Sequence, residues 1–177
     1  MPKRDHSEKS DVAGECAAGR VGDFLCFAVY AASHAFTRVY KPLLDGLGVT
    51  YPQYLVMVRL WEQDDQTVGS LGDKLFLESS TLTPLLKRLE ALGLVKRSRD
   101  PADERQVRIR LTPAGDRLRA QAAHVPNCIA EASGLTSDEA RRLLAEVTAL
   151  RSALEGAASG VHGKNTRSDR RKPTQDS

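Results

Sequence analysis

The sequence has few cysteines, few aromatic residues and no long hydrophobic run. Three of its 177 residues are cysteines, Cys16, Cys26 and Cys128, and they form neither a CxxC pair nor a Cys/His spacing typical of zinc sites. This argues against a disulfide scaffold or a structural metal, and we predict no metal and no cofactor. No apolar run approaches the roughly 20 residues of a membrane-spanning helix, and residues 1–11 lack a secretory signal. We therefore expect a cytoplasmic protein without a membrane partner.

The charge is small in sum and unevenly distributed. The formal net charge is +3 at pH 7, which does not by itself indicate a nucleic-acid partner. Residues 74–110, however, carry nine Lys or Arg against five Asp or Glu. The hydrophobic fraction of 41% and the chain length suit one hydrophobic core, so we expect one folded unit with tails.

Three regions differ in composition. Residues 1–20 are polar and rich in Gly and Ala, and we interpret them as a flexible N-terminal arm. Residues 21–155 contain apolar residues at helical or strand spacing and are predicted to form the folded domain. Residues 156–177 are basic and have almost nothing apolar to bury, which predicts a disordered tail.

The apolar periodicity predicts four helices before a hairpin. The first helix starts near Val21 and ends before Pro42, because proline disfavours the helical conformation of the preceding residue. The second runs from Pro52 to about Gln63. The third and fourth cover residues 67–75 and 79–93. Ser79 or Ser80 is expected as the N-cap of the fourth helix, and Gly93 as its stop.

A two-stranded hairpin and two further helices complete the predicted fold. Residues 94–100 and 106–112 alternate apolar and basic side chains, which is typical of strands, and the polar loop PADER separates them. A fifth helix starts at Thr112-Pro113 and runs to Ala122 or beyond. Residues 136–139 (TSDE) spell a capping box that starts the sixth.

A short helix, a turn, a longer helix and a basic hairpin follow the order of a winged helix-turn-helix. We place the DNA-binding part at residues 64–111. The side chains predicted to contact DNA lie on the fourth helix and on the hairpin: Ser79, Ser80, Thr81, Thr83, Lys87, Arg88, Arg97, Asp103 and Arg105. Arg105 at the hairpin tip suits a minor-groove contact, and Asp103 is expected to hold it. Mixed charge is also typical of a merely solvated surface, but the ordered series favours DNA binding.

Several segments go beyond this generic pattern. Residues 40–62 (YKPLLDGLGVTYPQYLVMVRLWE) and 82–115 (LTPLLKRLEALGLVKRSRDPADERQVRIRLTPAG) closely resemble the MarR family of dimeric winged-helix repressors. Within that family, the combination of LCFAVY, VYKPLL and TYPQY is similar to the organic hydroperoxide resistance regulators. The resemblance covers about residues 23–155. It implies a mainly α (α+β) winged helix-turn-helix fold in which the N- and C-terminal helices form a dimerisation region.

The resemblance also implies roles for single residues. Cys26 takes the place of the peroxide-sensing thiol, Tyr40 and Tyr51 those of tyrosines that hydrogen-bond to this sulfur from the partner subunit, and Tyr30 that of a further tyrosine near the site. Asp103 and Arg105 match the wing pair, whose arginine enters the minor groove. Cys128 resembles the resolving cysteine of two-cysteine members, and a bridge within or between subunits stays open.

The chemistry of this set is consistent. A free thiol is only a few per cent ionised at neutral pH, whereas the thiolate is the species that attacks peroxides. Phenol hydroxyls that donate to the sulfur favour the thiolate. An apolar pocket would favour organic hydroperoxides, because burial contributes about 0.8 kcal/mol per methylene. Cys26 alone would be more typical of a small buried hydrophobe, so the tyrosines decide the interpretation. Cys16 lies outside the match, and His34 and His124 show no ligand spacing.

We therefore expect a homodimeric, thiol-based redox-sensing repressor rather than an enzyme. Reduced protein would bind a pseudo-palindromic DNA operator, and oxidation of Cys26 by organic hydroperoxides would release it. Two alternatives stay open. In the first, a non-redox phenolic ligand releases the same kind of repressor and Cys26 is inert. In the second, the protein is a thiol peroxidase with an incidental basic surface.

Overall fold

The computed structural model describes residues 20–165, and the side chains up to residue 159. Apart from Arg20, the predicted N-terminal arm lies outside the described residues, as do Cys16 and residues 166–177 of the predicted tail. The described chain falls into two compact units, the first ending at Ile129 and the second beginning at Ala130. None of the helices within residues 20–165 has an apolar stretch long enough to span a bilayer.

Seven α-helices and one small sheet make up the described part of the chain. In chain order the elements are α1 (Leu25–Asp45), α2 (Tyr51–Glu62), β1 (Gln66–Thr67), α3 (Val68–Leu75), α4 (Ser79–Ala91), β2 (Val95–Arg99), β3 (Val107–Leu111), α5 (Pro113–Gln121), α6 (Val125–Ser133) and α7 (Ser137–Asn165). A single 3-10 turn over Val21–Asp23 precedes α1.

Helix α1 is shifted along the chain relative to the prediction: it begins at Leu25 rather than near Val21, and it continues past Pro42 to Asp45. A proline inside a helix removes one hydrogen bond and costs about 3 kcal/mol. Leu44 offsets this cost, since its side chain is 1% exposed in the core and full burial of leucine contributes about 1.5–3 kcal/mol. The Lys41 ammonium also donates to the Asp45 carboxylate at 2.8 Å. The prediction that the helix ends before Pro42 is wrong.

Helices α2 and α4 lie where the sequence predicts them, with one difference at a cap. The backbone N–H of Thr50 donates to Oε1 of Gln53 at 2.8 Å, which satisfies the start of α2. Gly93 has φ +71° just after α4 and ends the helix as expected. The N-cap of α4 is Glu78, with extended φ and ψ, rather than Ser79 or Ser80. Both serines instead lie in the first helical turn.

The sheet has three strands in the order β1-β3-β2, all antiparallel. The predicted hairpin is present, with Val95 opposite Leu111 and Arg99 opposite Val107. The two-residue strand β1 adds a third strand that the sequence prediction lacks, pairing Gln66 with Ile109. Two residues are too few to show an alternating pattern, so the sequence holds no periodic indication of β1.

The core of the first unit lies between α2, α3, α4 and the sheet. Its fully buried side chains are mostly leucine and other aliphatic residues: Leu44, Val56, Met57, Leu60, Leu71, Leu82, Leu86, Leu89, Val95, Ile109 and Val125. Helix α5 packs against the start of β2 through Gly115, where an added Cβ would lie 2.0 Å from the carbonyl oxygen of Leu94.

The C-terminal helices differ from the prediction in two ways. The predicted fifth helix is divided into α5 and α6, and Pro126, which has no N–H for the carbonyl of Ala122, lies in the first turn of α6. The capping box before α7 is confirmed, with Glu139 N–H donating to Thr136 Oγ1 at 3.3 Å. However, α7 continues to Asn165, so residues 156–165 of the predicted disordered tail are helical.

Candidate nucleic-acid interface and thiol site

Helices α3 and α4 form a helix-turn-helix. The chain reverses at Phe76, which has the left-handed φ of 55°, and the N–H of Leu77 donates to the carbonyl of Gly72 at 3.0 Å. Glycine is required at position 72 because an added Cβ would lie 2.9 Å from Leu77 O. Leu71 and Leu82 are fully buried and hold the two helices together.

Helix α4 presents most of its predicted DNA-contacting side chains to solvent. One face of the helix packs into the core through four buried leucines: Leu82, Leu85, Leu86 and Leu89. Ser79, Ser80 and Thr81 are exposed in the first turn, where backbone N–H groups are available to phosphates, and Thr83 is half-buried. Lys87 and Arg88 are exposed further along the helix. This hydroxyl-rich helix start followed by cations suits a recognition helix.

At the hairpin tip, Asp103 organises the loop around Arg105. One Asp103 carboxylate oxygen accepts the backbone N–H of Arg105 at 3.0 Å, and the other accepts the side-chain amide of Gln106 at 3.1 Å. Asp103 therefore holds the backbone of Arg105 and not its guanidinium. Arg105 remains exposed at the tip.

Two arginines of β3 form ion pairs with aspartates of the same chain. Arg108 lies 2.7 Å from Asp65 and 2.7 Å from Asp100, and Arg110 lies 2.9 Å from Asp65. Hydrogen bonds from Arg110 and then Arg108 hold the pKa of the Asp65 carboxyl well below its usual range. The sequence count of basic charge missed this neutralisation, because Asp65 lies far from the hairpin along the chain.

Fewer cations are therefore available to contact DNA than the nine Lys or Arg counted in residues 74–110. Arg97 is half-buried, its backbone N–H donates to Oε1 of Glu90 at 3.0 Å, and its guanidinium lies 3.8 Å from the same carboxylate. Five cations of α4 and the hairpin are exposed and join no ion pair within residues 20–165: Lys87, Arg88, Lys96, Arg99 and Arg105.

The predicted thiol-site residues of α1 and α2 form two groups, one near each end of α1. Cys26 is an exposed free thiol in the first turn, and Tyr30 follows one turn later with its ring 4.3 Å from that of His34. At the other end of α1, the rings of Tyr40 and Tyr51 are 4.4 Å apart. Cys26 and Tyr40 are both in the helix Leu25–Asp45, and 1.5 Å per residue separates them by about 21 Å along its axis. They do not meet within one chain.

The paired phenols are partly buried and stay protonated. Burial, with the neighbouring Tyr51 and Tyr54, raises the pKa of Tyr40 to about 12. Burial also raises the pKa of Tyr51 and of Tyr54. A protonated phenol is a hydrogen-bond donor. Tyr40 and Tyr51 thus offer two donors side by side, as a thiolate partner requires.

Cys128 is a half-buried free thiol in α6. Its backbone N–H donates to the carbonyl of His124 at 3.2 Å, which places the two residues one helical turn apart. Cys128 thus lies within α6, beyond the end of α5, and not near the end of one continuous fifth helix as the sequence predicts.

Both α1 and α7 carry exposed apolar faces. On and next to α1, the exposed residues are Phe24, Leu25, Phe27, Val29, Tyr30, Phe36 and Val39. On α7 they are Leu143, Leu144, Val147 and Leu154, with Leu144 68% exposed. Contiguous apolar patches of this kind mark protein interfaces.

Comparison with known proteins relates the chain to transcriptional regulators. The family profile described as Transcriptional regulator SarA/Rot matches residues 38–121. The chain is 51% identical over 137 residues to the HTH-type transcriptional regulator TtmR of Methylorubrum extorquens, covering 77% of this chain and 70% of that protein. It is 43% identical over 141 residues to the organic hydroperoxide resistance transcriptional regulator of Bacillus subtilis, covering 80% and 91%.

Solved structures of AbfR, a Staphylococcus epidermidis protein, are also similar. Reduced AbfR bound to DNA matches with a TM-score of 0.65 at 40% identity, covering 76% of this chain and 94% of that one. Overoxidized AbfR bound to DNA matches with a TM-score of 0.65 at 39% identity and the same coverage. Disulfide-formed AbfR matches with a TM-score of 0.53 at 37% identity, covering 79% and 93%.

Proposed function

The chain belongs to the MarR-like winged-helix transcriptional regulators of the SarA/Rot family, and from this premise we propose that it is a homodimeric, redox-sensing repressor. In this proposal the reduced dimer binds a pseudo-palindromic operator. Organic hydroperoxides oxidise Cys26, and the oxidised dimer releases the DNA. The cytoplasm, where DNA and reduced thiols coexist, is the proposed location.

The DNA-binding part of the proposal is supported by α4 and the hairpin. The exposed start of α4 suits contacts to phosphates and base edges in the major groove. Arg105, held at the tip by the Asp103 turn, suits a minor-groove contact. The half-buried Arg97, paired with Glu90, is the weakest of the proposed DNA-contacting residues, and its backbone position matters more than its charge.

The observation that carries the sensing proposal is the separation of Cys26 from Tyr40 and Tyr51. An exposed thiol and two paired donors lie at opposite ends of α1, about 21 Å apart at the helical rise. A second copy of the chain, with its α1 antiparallel, would bring its Tyr40 and Tyr51 to Cys26. The exposed apolar residues of α1 and, separately, of α7 supply the surface for such a dimer.

The proposed chemistry has two steps. The Cys26 thiolate attacks one peroxide oxygen, the O–O bond breaks, and the products are a sulfenic acid and, after protonation, an alcohol. The Cys128 thiol then attacks the sulfenic sulfur, an S–S bond replaces the S–O bond, and water leaves with the thiol proton. Capture as a disulfide keeps the oxidation reversible.

Disulfide formation, rather than oxidation of Cys26 alone, is the proposed DNA-releasing step. AbfR has been crystallised on DNA in both its reduced and overoxidized forms. The structure of disulfide-formed AbfR is less similar to this chain than those two structures are, with a TM-score of 0.53 against 0.65. A change limited to Cys26 would add only local atoms, whereas a bridge to α6 constrains two helices.

A non-redox ligand is the second candidate, because one cavity favours it. An open cavity of about 410 Å³ lies between the end of α1 and the start of α2, and Thr37, Lys41 and Tyr51 are among its lining residues. Its size suits a small organic ligand. A peroxidase activity has no such support, since the relatives named above are transcriptional regulators.

The deciding experiment uses an operator duplex selected from random DNA by the reduced protein. Its affinity is measured with and without cumene hydroperoxide for wild type, Cys26→Ser and Cys128→Ser, all in a Cys16→Ser background with an unmodified control. Wild type should release DNA and Cys26→Ser should not. Release that persists in Cys26→Ser would exclude the redox mechanism. Normal release in Cys128→Ser would exclude both the resolving role of Cys128 and disulfide formation as the releasing step, but not sensing by Cys26.

A further inference from the structure

Four aromatic side chains of the first unit form a continuous series, here called the aromatic series: Tyr51, Tyr40, Tyr54 and Trp61. The ring centroids of Tyr40 and Tyr51 are 4.4 Å apart, those of Tyr40 and Tyr54 are 6.0 Å apart, and those of Tyr54 and Trp61 are 6.1 Å apart. Tyr54 is only 6% exposed. The series therefore runs from the proposed sensing phenols through the core along α2.

The far end of the aromatic series is fixed to α5. The indole N–H of Trp61 donates to the carbonyl oxygen of Gly115 at 2.9 Å. This is a long-range bond from α2 to the first turn of α5, and it is directional, unlike the ring contacts that precede it.

Gly115 lies at the base of the hairpin. Its Cα approaches the carbonyl oxygen of Leu94 so closely that an added Cβ would lie 2.0 Å away. Leu94 immediately precedes β2, and Thr112, which follows β3, donates its N–H to the same carbonyl at 3.1 Å. Both strands of the wing thus leave the body of the protein at the point that Trp61 contacts.

We propose that Tyr54 and Trp61 are positioning residues that transmit oxidation of Cys26 to the wing, an inference that rests on the proposed function. When the sulfur becomes part of a disulfide, Tyr40 and Tyr51 lose a charged acceptor for their hydroxyl groups. Because packed cores change between discrete arrangements rather than deforming smoothly, a shift of Tyr40 displaces Tyr54 and then Trp61. The two-state element is the Trp61–Gly115 hydrogen bond, made in the DNA-binding form and broken in the released form.

The test uses the full-length dimer and measures two quantities: the rate at which the disulfide forms, and the factor by which oxidation weakens operator binding. Trp61→Phe keeps an aromatic ring and removes the N–H donor. Its disulfide, followed on non-reducing gels, should form at the wild-type rate with cumene hydroperoxide. The ratio of the operator Kd of the oxidised protein to that of the reduced protein should shrink at least tenfold relative to wild type. An unchanged ratio would overturn the inference.

Two further variants separate coupling from general destabilisation. Tyr54→Phe keeps the ring packing and should keep the wild-type ratio, whereas Tyr54→Leu should reduce it. Val58→Ala is the matched control, because Val58 packs against the core from α2 outside the aromatic series. If the Kd ratio shrinks as much in Val58→Ala as in Trp61→Phe, the effect is not specific to the aromatic series and the inference is wrong.

The two proposals fail in different ways. If the wild-type protein keeps its DNA after the Cys26–Cys128 disulfide has formed, the proposed function is wrong. If wild type releases DNA and Trp61→Phe releases it equally, only the role of the aromatic series is wrong. Hydrogen exchange gives a second measurement: oxidation of wild type should speed exchange of the β2–β3 amides, and no change there would also contradict the inference.

Discussion

The carboxylate of Asp65, in the loop after α2, lies 2.7 Å from Nε of Arg108 in β3. The backbone carbonyl of Asp65 accepts a second bond from the same guanidinium at 2.7 Å. Arg108 in turn reaches Asp100 at the other end of the hairpin loop. One arginine thus ties the wing to the body of the domain and to its own loop.

We expect Asp65→Asn to loosen the wing while keeping the local backbone. Asp65 has φ 56°, a conformation that asparagine tolerates, so the variant removes charge without imposing backbone strain. Arg108 and Arg110 lose their shared carboxylate, and the free energy of unfolding at pH 7 should fall. Urea denaturation measures this, and faster amide exchange in β3 would locate it. Lys41→Gln, at an exposed ion pair of α1, is the control that should have little effect.

The same ion pairs predict how stability depends on pH. The pKa of Asp65 is lowered in the folded state by Arg110 and Arg108, and that of Asp100 is lowered chiefly by Arg108. A lowered folded-state pKa stabilises the protein above the ordinary carboxyl pKa of about 4, and this stabilisation is lost as the pH falls below it. The difference between wild type and Asp65→Asn should therefore shrink from pH 6 to pH 3. A difference that grows on acidification would contradict the assignment.

Gly115→Ala should destabilise the protein because there is no room for a Cβ beside Leu94 O. Overpacking typically costs about 1–3 kcal/mol, and more when a backbone must move. Gly156→Ala, in α7 where an added Cβ meets nothing within 4 Å, should instead stabilise by about 0.5–1 kcal/mol. Thermal or urea unfolding of the two variants gives the comparison. Equal effects of the same sign would show that α5 is not confined at Leu94.

Mixed dimers test whether Cys26 and the phenols meet across subunits. One subunit carries Cys26→Ser with intact tyrosines, and the other carries Cys26 with Tyr40→Phe and Tyr51→Phe. If the phenols act in trans, the remaining thiol should oxidise at the wild-type rate. The homodimer of Tyr40→Phe/Tyr51→Phe should react about 10 to 100 times more slowly, since a hydrogen bond to a charged group contributes about 1.5–3 kcal/mol. A slow mixed dimer would place the contact within one chain.

DNA affinity should distinguish exposed from paired arginines. Arg105→Ala removes an exposed cation at the wing tip and should weaken operator binding about tenfold or more, and lower the salt slope by about one. Arg110→Ala removes a cation already paired with Asp65 and should change the salt slope less. Titrations from 50 to 200 mM salt measure both slopes. A larger slope change for Arg110→Ala would contradict the division of charges.

The order of elements could be predicted from the sequence, because most helix boundaries have local causes. Gly93 and the Thr136–Glu139 capping box act within one turn of their own helix. The continuation of α1 past Pro42 could not be predicted, because it depends on burial of Leu44 in a core built from distant residues. Strand β1 also depends on a distant partner, since Gln66 finds Ile109 only in the folded chain.

The candidate site divides in the same way. The start of α4 is exposed because the spacing of its leucines directs the opposite face of the helix into the core. The neutralisation of Arg108 and Arg110 does not follow from the sequence, because Asp65 lies 43 positions before Arg108. Trp61 and Gly115 are 54 positions apart in the sequence, so their contact likewise could not be predicted from the local sequence. The thiol-site residues stay a prediction until the dimer is probed directly.

The chain contains a single tryptophan, and that indole sits where α2 meets α5. Its fluorescence therefore reports on one location without any attached dye, and light absorbed by the neighbouring Tyr54 reaches it by energy transfer over 6.1 Å between ring centres. A drop or red shift in emission during peroxide treatment would time the rearrangement of this junction in solution. Stopped-flow fluorescence could then establish the order of events, because the rate of the emission change can be compared with the rate of thiol oxidation.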